Sequence, residues 1–220
     1  MRWMSRETFY CVALIALLSI HLTACKKDEN TQRFEGTVKR GNLGQSLSGT
    51  QVTAQTQEIN NGIFSSDYSS IGSMSTAADG RYTIPFETAT YPSLRLQFSK
   101  SGYHTRLVEV DPQFFADQNT FTKNIFLFPK STIQVHVSDQ LPAYSQLWMR
   151  YKNTDFECTC CDDSWKYFTQ PNIDTTFSCM VYGDQFVHYQ YRWIGSGIDT
   201  LIDDSIYCTA FETANIDLSY

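Results

Sequence analysis

The sequence has few of the residues and motifs on which most enzyme active sites depend. It contains only four histidines, and it has no Gly-x-Ser-x-Gly elbow, no His-Glu-x-x-His motif and no glycine-rich phosphate loop. His104, His136 and His188 lie in strand-like patterns, where a solvent-facing or hydrogen-bonded imidazole is the usual case. We therefore expect no catalytic residue, no enzyme activity, no cofactor and no metal site.

Positive charge is also scarce. The chain has 17 Lys and Arg against 23 Asp and Glu, a formal net charge of −6, which argues against nucleic acid as a partner. Residues 30–130 carry nine basic and eight acidic side chains, whereas residues 131–220 carry four and twelve. This shift coincides with Phe128-Pro129-Lys130-Ser131, so we place a domain boundary after residue 130.

No apolar run is long enough for a comfortable membrane span, which needs about 20 residues. The longest, Phe9 to Ile20, follows Arg2 and Arg6 and leads into Leu22-Thr23-Ala24-Cys25. This order resembles the signal peptide and lipobox of bacterial lipoproteins. The resemblance implies that residues 1–24 are cleaved and that acyl chains on Cys25 attach the protein to a membrane. An uncleaved N-terminal anchor helix is the alternative.

The residues after Cys25 bear on the location. Lys26-Lys27-Asp28-Glu29-Asn30 resembles the short export signal that follows the lipidated cysteine in Bacteroidetes lipoproteins. That resemblance implies an outer-membrane protein exposed at the cell surface, with residues 25–32 as a lipidated tether. The alternative is a solvated spacer that carries no export signal.

Residues 33–130 alternate apolar and polar side chains in short runs that Gly, Asn, Asp and Pro interrupt, which predicts strands and no long helix. A tight turn is expected at Asp79-Gly80, since glycine accepts a positive φ. The predicted strands are 34–39, 51–56, 81–86, 94–98, 103–110 and 121–128. Six or seven short strands predict an antiparallel β-sandwich.

Four segments of this region occur in an order that resembles the carboxypeptidase regulatory-like domain. They are Phe34-Glu35-Gly36-Thr37-Val38, Leu47-Ser48-Gly49-Thr50-Gln51-Val52, Thr76-Ala77-Ala78-Asp79-Gly80-Arg81-Tyr82-Thr83-Ile84 and Lys100-Ser101-Gly102-Tyr103. The resemblance implies a seven-stranded transthyretin-like (prealbumin-like) sandwich that folds, spaces or docks and is not itself a peptidase. The polar stretch from Gln57 to Ser75 departs from the family, which has a short turn between its second and third strands.

Residues 131–220 also alternate, most clearly at Ile133 to Val137 and at Val187 to Trp193. Val187, Tyr189, Tyr191 and Trp193 share one face, which we interpret as core. Further strands are expected at 206–211 and 216–220. We predict a second, immunoglobulin-like sandwich, so the whole chain is expected to be all-β with two tandem sandwiches.

The second region contains every cysteine beyond Cys25. An exported chain meets an oxidising compartment, so disulfides are the default. Five cysteines leave one unpaired, and fifteen pairings are open; we expect two of the first three to pair with the last two. A soft metal bound by this cluster with His188 or Asp162, or free thiols, are the alternatives. The five candidates are Cys158, Cys160, Cys161, Cys179 and Cys208.

Aromatic residues give the remaining hint of function. Trp165-Lys166-Tyr167 lies beside the acidic, cysteine-rich segment, and we expect Trp165 and Tyr167 to be exposed and available to a ligand. The sequence thus favours a non-catalytic, lipid-anchored surface module that binds a protein or glycan. An accessory subunit of an outer-membrane uptake or hydrolase complex, and a thiol or metal protein, are the alternatives.

Overall fold

The structure is a computed structural model that describes residues 31–60, 63–140, 144–152 and 161–220. The predicted signal peptide and nearly all of the tether lie outside these ranges. Strands dominate the described chain, and its one helix, α1 (Phe114–Asp117), has four residues. No helix in these ranges is long and apolar enough to cross a membrane.

The first sandwich consists of two sheets. β1 lies between β4 on one side and β7 and β8 on the other, and its pairing with β7 and β8 is parallel; these strands are β1 (Thr31–Arg40), β4 (Arg81–Glu87), β7 (Thr120–Thr122) and β8 (Ile125–Leu127). The opposing sheet runs in the order β3 (Ile63–Ser75), β2 (Gln51–Asn60), β5 (Leu94–Ser99) and β6 (Arg106–Val110). The all-β prediction is confirmed.

Alternation along the strands builds the first core. Tyr82, Ile84 and Phe86 of β4 point inward, and their neighbours along the strand are exposed. Phe34 stacks on Phe86 with ring centroids 4.7 Å apart, and Phe115 from α1 meets both rings edge-on. Such offset and edge contacts are the favoured aromatic geometries.

The polar stretch after β2 is a strand. β3 (Ile63–Ser75) pairs antiparallel with β2 along most of its length, including Gln51 with Ser75 and Thr53 with Ser73. It is rich in serine because it lies at the edge of its sheet, where few side chains reach the core. The departure from the family is therefore a pair of long antiparallel strands, which include residues 57–60 of β2 and all of β3.

The second sandwich repeats the strand order of the first. Its three-stranded sheet is β12 (Asp174–Tyr182), β9 (Lys130–Ser138) and β15 (Thr213–Ser219). Its four-stranded sheet is β11 (Lys166–Phe168), β10 (Tyr144–Lys152), β13 (Gln185–Gly195) and β14 (Ile198–Cys208). In both sandwiches the first strand pairs parallel with the last. The second sandwich therefore has the same connectivity as the first. Its strand order differs from the ABED and CFG sheets of immunoglobulin domains.

The predicted core face of β13 is inside. Val187 and Tyr189 are buried, and Tyr191 and Trp193 pack against the same cluster. Ile133, Val135 and Val137 of β9 face them from the other sheet and are fully buried.

The sandwiches are joined by a short, contact-rich junction within one compact unit, Gln32–Tyr220. Arg40 and Asp184 form an ion pair of 2.6 Å with side chains 23% and 11% exposed. Phe128 stacks on Tyr182 at 4.5 Å, and the backbone amide of Gly183 donates to the carbonyl of Pro129. We conclude that the two sandwiches are packed together and not merely tethered.

Candidate functional site

The predicted aromatic site lies on the outer face of the four-stranded sheet of the second sandwich. Leu147 and Met149 of β10 are fully buried, so the pleat directs the intervening Trp148 outward. Trp148 is in register with Tyr167 of β11 on one side and with Arg192 of β13 on the other. We call this surface the Trp/Arg face; it consists of Trp148, Arg150, Trp165, Tyr167 and Arg192.

Three aromatic rings meet on the Trp/Arg face. Trp148 contacts Tyr167 edge-on at 5.1 Å between ring centroids and contacts Trp165 at 6.4 Å. Tyr167 is 60% exposed, whereas Trp165 is half-buried. The exposure expected of Tyr167 is therefore observed, while Trp165 is more covered than the sequence suggested because Trp148 and Arg150 pack against it.

Two guanidinium groups lie over these rings. The Arg192 guanidinium carbon is 5.1 Å from the Trp148 ring centroid, and that of Arg150 is 4.7 Å from Trp165. Both distances are within the range of cation–π attraction. Arg192 also donates through Nε to Asp199 at 2.6 Å and through Nη2 to its other carboxylate oxygen. This paired hydrogen bonding raises the pKa of Arg192 and lowers the pKa of Asp199.

A hydrogen-bond chain extends the face across the sheet. Arg150 Nε donates to Gln190 Oε1 at 2.8 Å, and Gln190 Nε2 donates to Asp203 Oδ1 at 2.7 Å. Lys152 Nζ reaches the same carboxylate oxygen at 2.7 Å, and its hydrogen bond is the main cause that holds the pKa of Asp203 low. The chain fixes the side chains of β10, β13 and β14, so the surface is preorganised.

Three of the five candidate cysteines lie within the described residues. Cys161 and Cys179 form a disulfide that joins the segment before β11 to β12, the edge strands of the two sheets. Cys208 carries a free, fully buried thiol. The expectation that Cys208 pairs with the cluster is thus corrected: its side chain lies within the second core. Cys158 and Cys160, like the predicted lipidation residue Cys25, lie outside the described residues.

The alternative of a metal site has no support among the described residues. No group of three or more His, Cys, Asp or Glu side chains there is placed to hold an ion. His188 lies on β13 opposite Ser205. The Asp162 carboxylate accepts hydrogen bonds from the hydroxyl and the amide of Ser164, which lower its pKa.

Arg150 and Arg192 were not among the residues that the sequence predicted for the aromatic site. A local signal existed for one of them, because the alternation of Leu147, Met149 and Tyr151 along β10 predicts that Trp148 and Arg150 share the outer face. Arg192 could not be placed, since its neighbours come from pairing with a strand about 40 residues away.

No protein-family profile matches this sequence, and no curated protein matches it significantly. Among solved structures, the TIE protein of Bacillus anthracis superposes with a TM-score of 0.34 and 10% identity over 87% of this chain and 34% of that one. The shaft pilin SpaA of Lactobacillus rhamnosus GG gives a TM-score of 0.30 and 7% identity over 86% of this chain and 97% of that one.

The full-length major pilin SpaD of Corynebacterium diphtheriae gives a TM-score of 0.30 and 10% identity, with 80% of this chain and 64% of that one covered. The chain thus spans about a third of the length of the TIE protein. The fold assignment rests on the strands and sheets described above.

Proposed function

We propose that this chain is a non-catalytic, lipid-anchored cell-surface module that holds a protein partner on its Trp/Arg face. The observation that carries the proposal is the interleaving of Trp148, Trp165 and Tyr167 with Arg150 and Arg192 on one rigid sheet surface. Trp, Tyr and Arg are the residues most enriched among the energetic centres of protein interfaces.

The same geometry favours a protein over a glycan. A sugar ring stacks on an open aromatic face, but the Trp148 and Trp165 rings each have a guanidinium over one face. The hydrogen bond of Arg150 Nε goes to the neutral amide of Gln190, while the nearby Asp203 carboxylate, whose pKa Arg150 helps to lower, also pairs with Lys152. An acidic or carbonyl-rich protein surface would complement this guanidinium group.

The cell-surface part of the proposal is supported by the sequence. Leu22-Thr23-Ala24-Cys25 resembles a lipobox, and the residues that follow resemble a surface-export signal. The strand pairing of the first sandwich and the turn at Asp79-Gly80 support the likeness to carboxypeptidase regulatory-like domains, which implies a spacing or docking role. An accessory subunit in an uptake or hydrolase complex would use the face in the same way.

Cross-linking on intact cells followed by affinity capture tests the docking role. We expect the double variant Trp165→Ala/Tyr167→Ala to recover its partner at least tenfold less well than wild type. The matched control is Phe186→Ala/Tyr207→Ala, which removes an aromatic pair 58% and 48% exposed at the other end of the same sheet face. Equal recovery by all three chains would refute the docking role, and a face-dependent glycan in place of a protein would refute the choice of partner.

Metabolic labelling with palmitate tests the anchor separately. We expect label on the wild-type chain and none on Cys25→Ser, together with release of that variant from the membrane fraction. Label that persists on Cys25→Ser would contradict the anchor while leaving the Trp/Arg face untouched.

A further inference from the structure

The segment that supplies most of the Trp/Arg face is weakly held by backbone pairing. Two of its three rings, Trp165 and Tyr167, come from β11 and the residue just before it. β11 has three residues, lies at the edge of its sheet, and among the described strands pairs with β10 alone. A strand this short forms few hydrogen bonds, so its position depends on other contacts.

Those other contacts go to β12, the edge strand of the opposite sheet. Cys161, which precedes Trp165 by four residues, is bonded to Cys179 of β12. Phe168 of β11 lies nearly parallel to Phe177 of β12, with ring centroids 6.0 Å apart. Of these contacts the disulfide is the covalent one, and it lies directly before the residues of the Trp/Arg face.

β12 is a firm anchor, whereas the chain connection from β10 to β11 is not. All nine residues of β12 pair with β9, and Cys179 lies opposite the fully buried Ile133. β10 ends at Lys152 and β11 begins at Lys166. A connection of this length restricts the position of a strand only weakly. The bridge is therefore what ties β11 to the rest of the sandwich.

The disulfide can be reached from solvent. Cys161 and Cys179 are both half-buried, and they line an open cavity of about 480 Å³ between β11 and β12. Cys208, in contrast, is fully buried in the second core. Because the rate of thiol–disulfide exchange depends on access to the sulfur atoms, a small thiol can attack this bond in the folded chain.

We propose that the Cys161–Cys179 disulfide switches the Trp/Arg face on and off, an inference that rests on the docking role proposed above. The thiolate of a dithiol reductant attacks one sulfur, the bond between Cys161 and Cys179 breaks, and a mixed disulfide forms. The second thiol of the reductant then closes its own disulfide, and its two hydrogens end on the two cysteines. β11 separates from β12, and Trp165 and Tyr167 leave the positions in which they contact a partner together with Trp148.

Hydrogen exchange of the full chain in lipid nanodiscs, before and after treatment with dithiothreitol, tests the structural step without a partner. After reduction we expect the β11 amides to exchange at the earliest labelling time, while β9 and β13 stay protected because their ladders lie in the core. Cys161→Ser/Cys179→Ser should exchange rapidly at β11 with or without dithiothreitol. The matched control Cys158→Ser/Cys160→Ser should respond to dithiothreitol as wild type does.

Two results of this experiment overturn the switch, whether or not a partner is found. One is β11 exchange that reduction leaves unchanged. The other is loss of protection in β9 and β13 together with β11, since the bridge would then hold the whole sandwich and not the Trp/Arg face.

Cross-linking and capture on intact cells test the functional step. Wild type treated with dithiothreitol, and Cys161→Ser/Cys179→Ser without it, should each recover about tenfold less partner than oxidised wild type, as expected when a central aromatic contact is lost. A further loss when the serine variant is treated would place the redox effect on the partner and overturn the switch.

The variant Trp165→Ala/Tyr167→Ala separates failure of the switch from failure of the docking role. If this variant loses the partner while reduced wild type keeps it, the switch is overturned and the docking role stands. If this variant keeps the partner, the docking role is refuted and the switch with it, even where β11 loosens on reduction.

Discussion

At the residue scale, the Cys161–Cys179 bridge replaces a missing strand pairing. It joins the edges of two sheets whose described strands share no hydrogen-bonded ladder at that side of the sandwich. The two cysteines are 18 residues apart, and closing a loop of that size removes about 3 kcal/mol of chain entropy from the unfolded state.

We therefore expect Cys161→Ser/Cys179→Ser to lower the free energy of unfolding by about 3 kcal/mol in urea denaturation under oxidising conditions. The control is Ser178→Ala, which alters the exposed residue beside Cys179 and should stay within about 0.5 kcal/mol of wild type. A double variant as stable as wild type would show that the sheets hold this edge without the bridge.

The buried thiol of Cys208 is expected to be unreactive towards alkylating reagents in the folded chain. Burial raises the pKa of its thiol to about 11, and only the thiolate reacts with alkylating reagents. At pH 8 we expect iodoacetamide to leave Cys208 unmodified in the folded chain and to modify it fully in urea, as peptide mass spectrometry would report. Rapid modification of the native chain would contradict the buried position.

The same shift has a consequence for stability, whose sign follows from proton linkage. The folded-state pKa is raised, so the contribution is present below the ordinary thiol pKa and is lost as the pH rises towards about 11. The free energy of unfolding should fall across that alkaline window, and Cys208→Ala should fall less steeply.

At the element scale, the sequence predicts several strands that alternate and misses β3 and β12, which do not. β4 and β5 read correctly because every second side chain is apolar and buried. β3 is polar since it lies at a sheet edge. In β12 only the last two residues, Val181 and Tyr182, are buried. The Trp/Arg face could not be predicted from the sequence for a related reason. Its residues are brought together by pairings between strands, which no local pattern encodes.

The turn before β4 carries the element-scale prediction. Gly80 has a φ of +78°, and a Cβ there would lie 2.5 Å from the carbonyl oxygen of Val38, which is in β1. Gly44 has a similar φ of +64° but open space around it. Because the two glycines have similar φ values and only Gly80 has a close neighbour, substitutions at Gly44 and Gly80 distinguish backbone strain from steric clash.

We expect Gly44→Ala to cost about 1 kcal/mol, the strain of a left-handed residue, and Gly80→Ala to cost at least about 2–3 kcal/mol, because β1 or the turn must also shift. Urea denaturation of the two variants measures the difference. Equal costs would mean that the turn relaxes away from β1 freely.

At the scale of the whole molecule, one strand order is used twice with different side chains. The first core has Phe34, Phe86 and Phe115 at its centre, whereas the second has aliphatic residues of β9 facing Tyr189. The sequence predicted the two sandwiches but not how their strands are connected, since alternation reveals strands and not which strand pairs with which. The parallel pairing of β9 with β15 joins segments about 80 residues apart, a relation that composition does not carry.

The junction makes the two sandwiches one mechanical unit, and Asp184 is its central polar residue. Asp184 Oδ2 accepts from both Nε and Nη2 of Arg40 at 2.9 and 2.6 Å, and its backbone carbonyl accepts from Asn42 at 3.2 Å. Asp184 has a φ of +60°, which asparagine tolerates, so Asp184→Asn removes the charge and keeps the backbone.

We expect Asp184→Asn to lower the free energy of unfolding by about 1–2 kcal/mol, less than a fully buried pair would lose because water reaches both side chains. In an Arg40→Met background the same change should cost about 1 kcal/mol less, since the partner is already gone.

Hydrogen exchange of Asp184→Asn should show β1 and β9 opening separately, whereas in wild type they open together. Asp203→Asn, which breaks a pair inside the second sandwich, is the control and should leave that coupling intact. Additive costs, or joint opening in Asp184→Asn, would show that the stacked Phe128 and Tyr182 rings hold the junction alone.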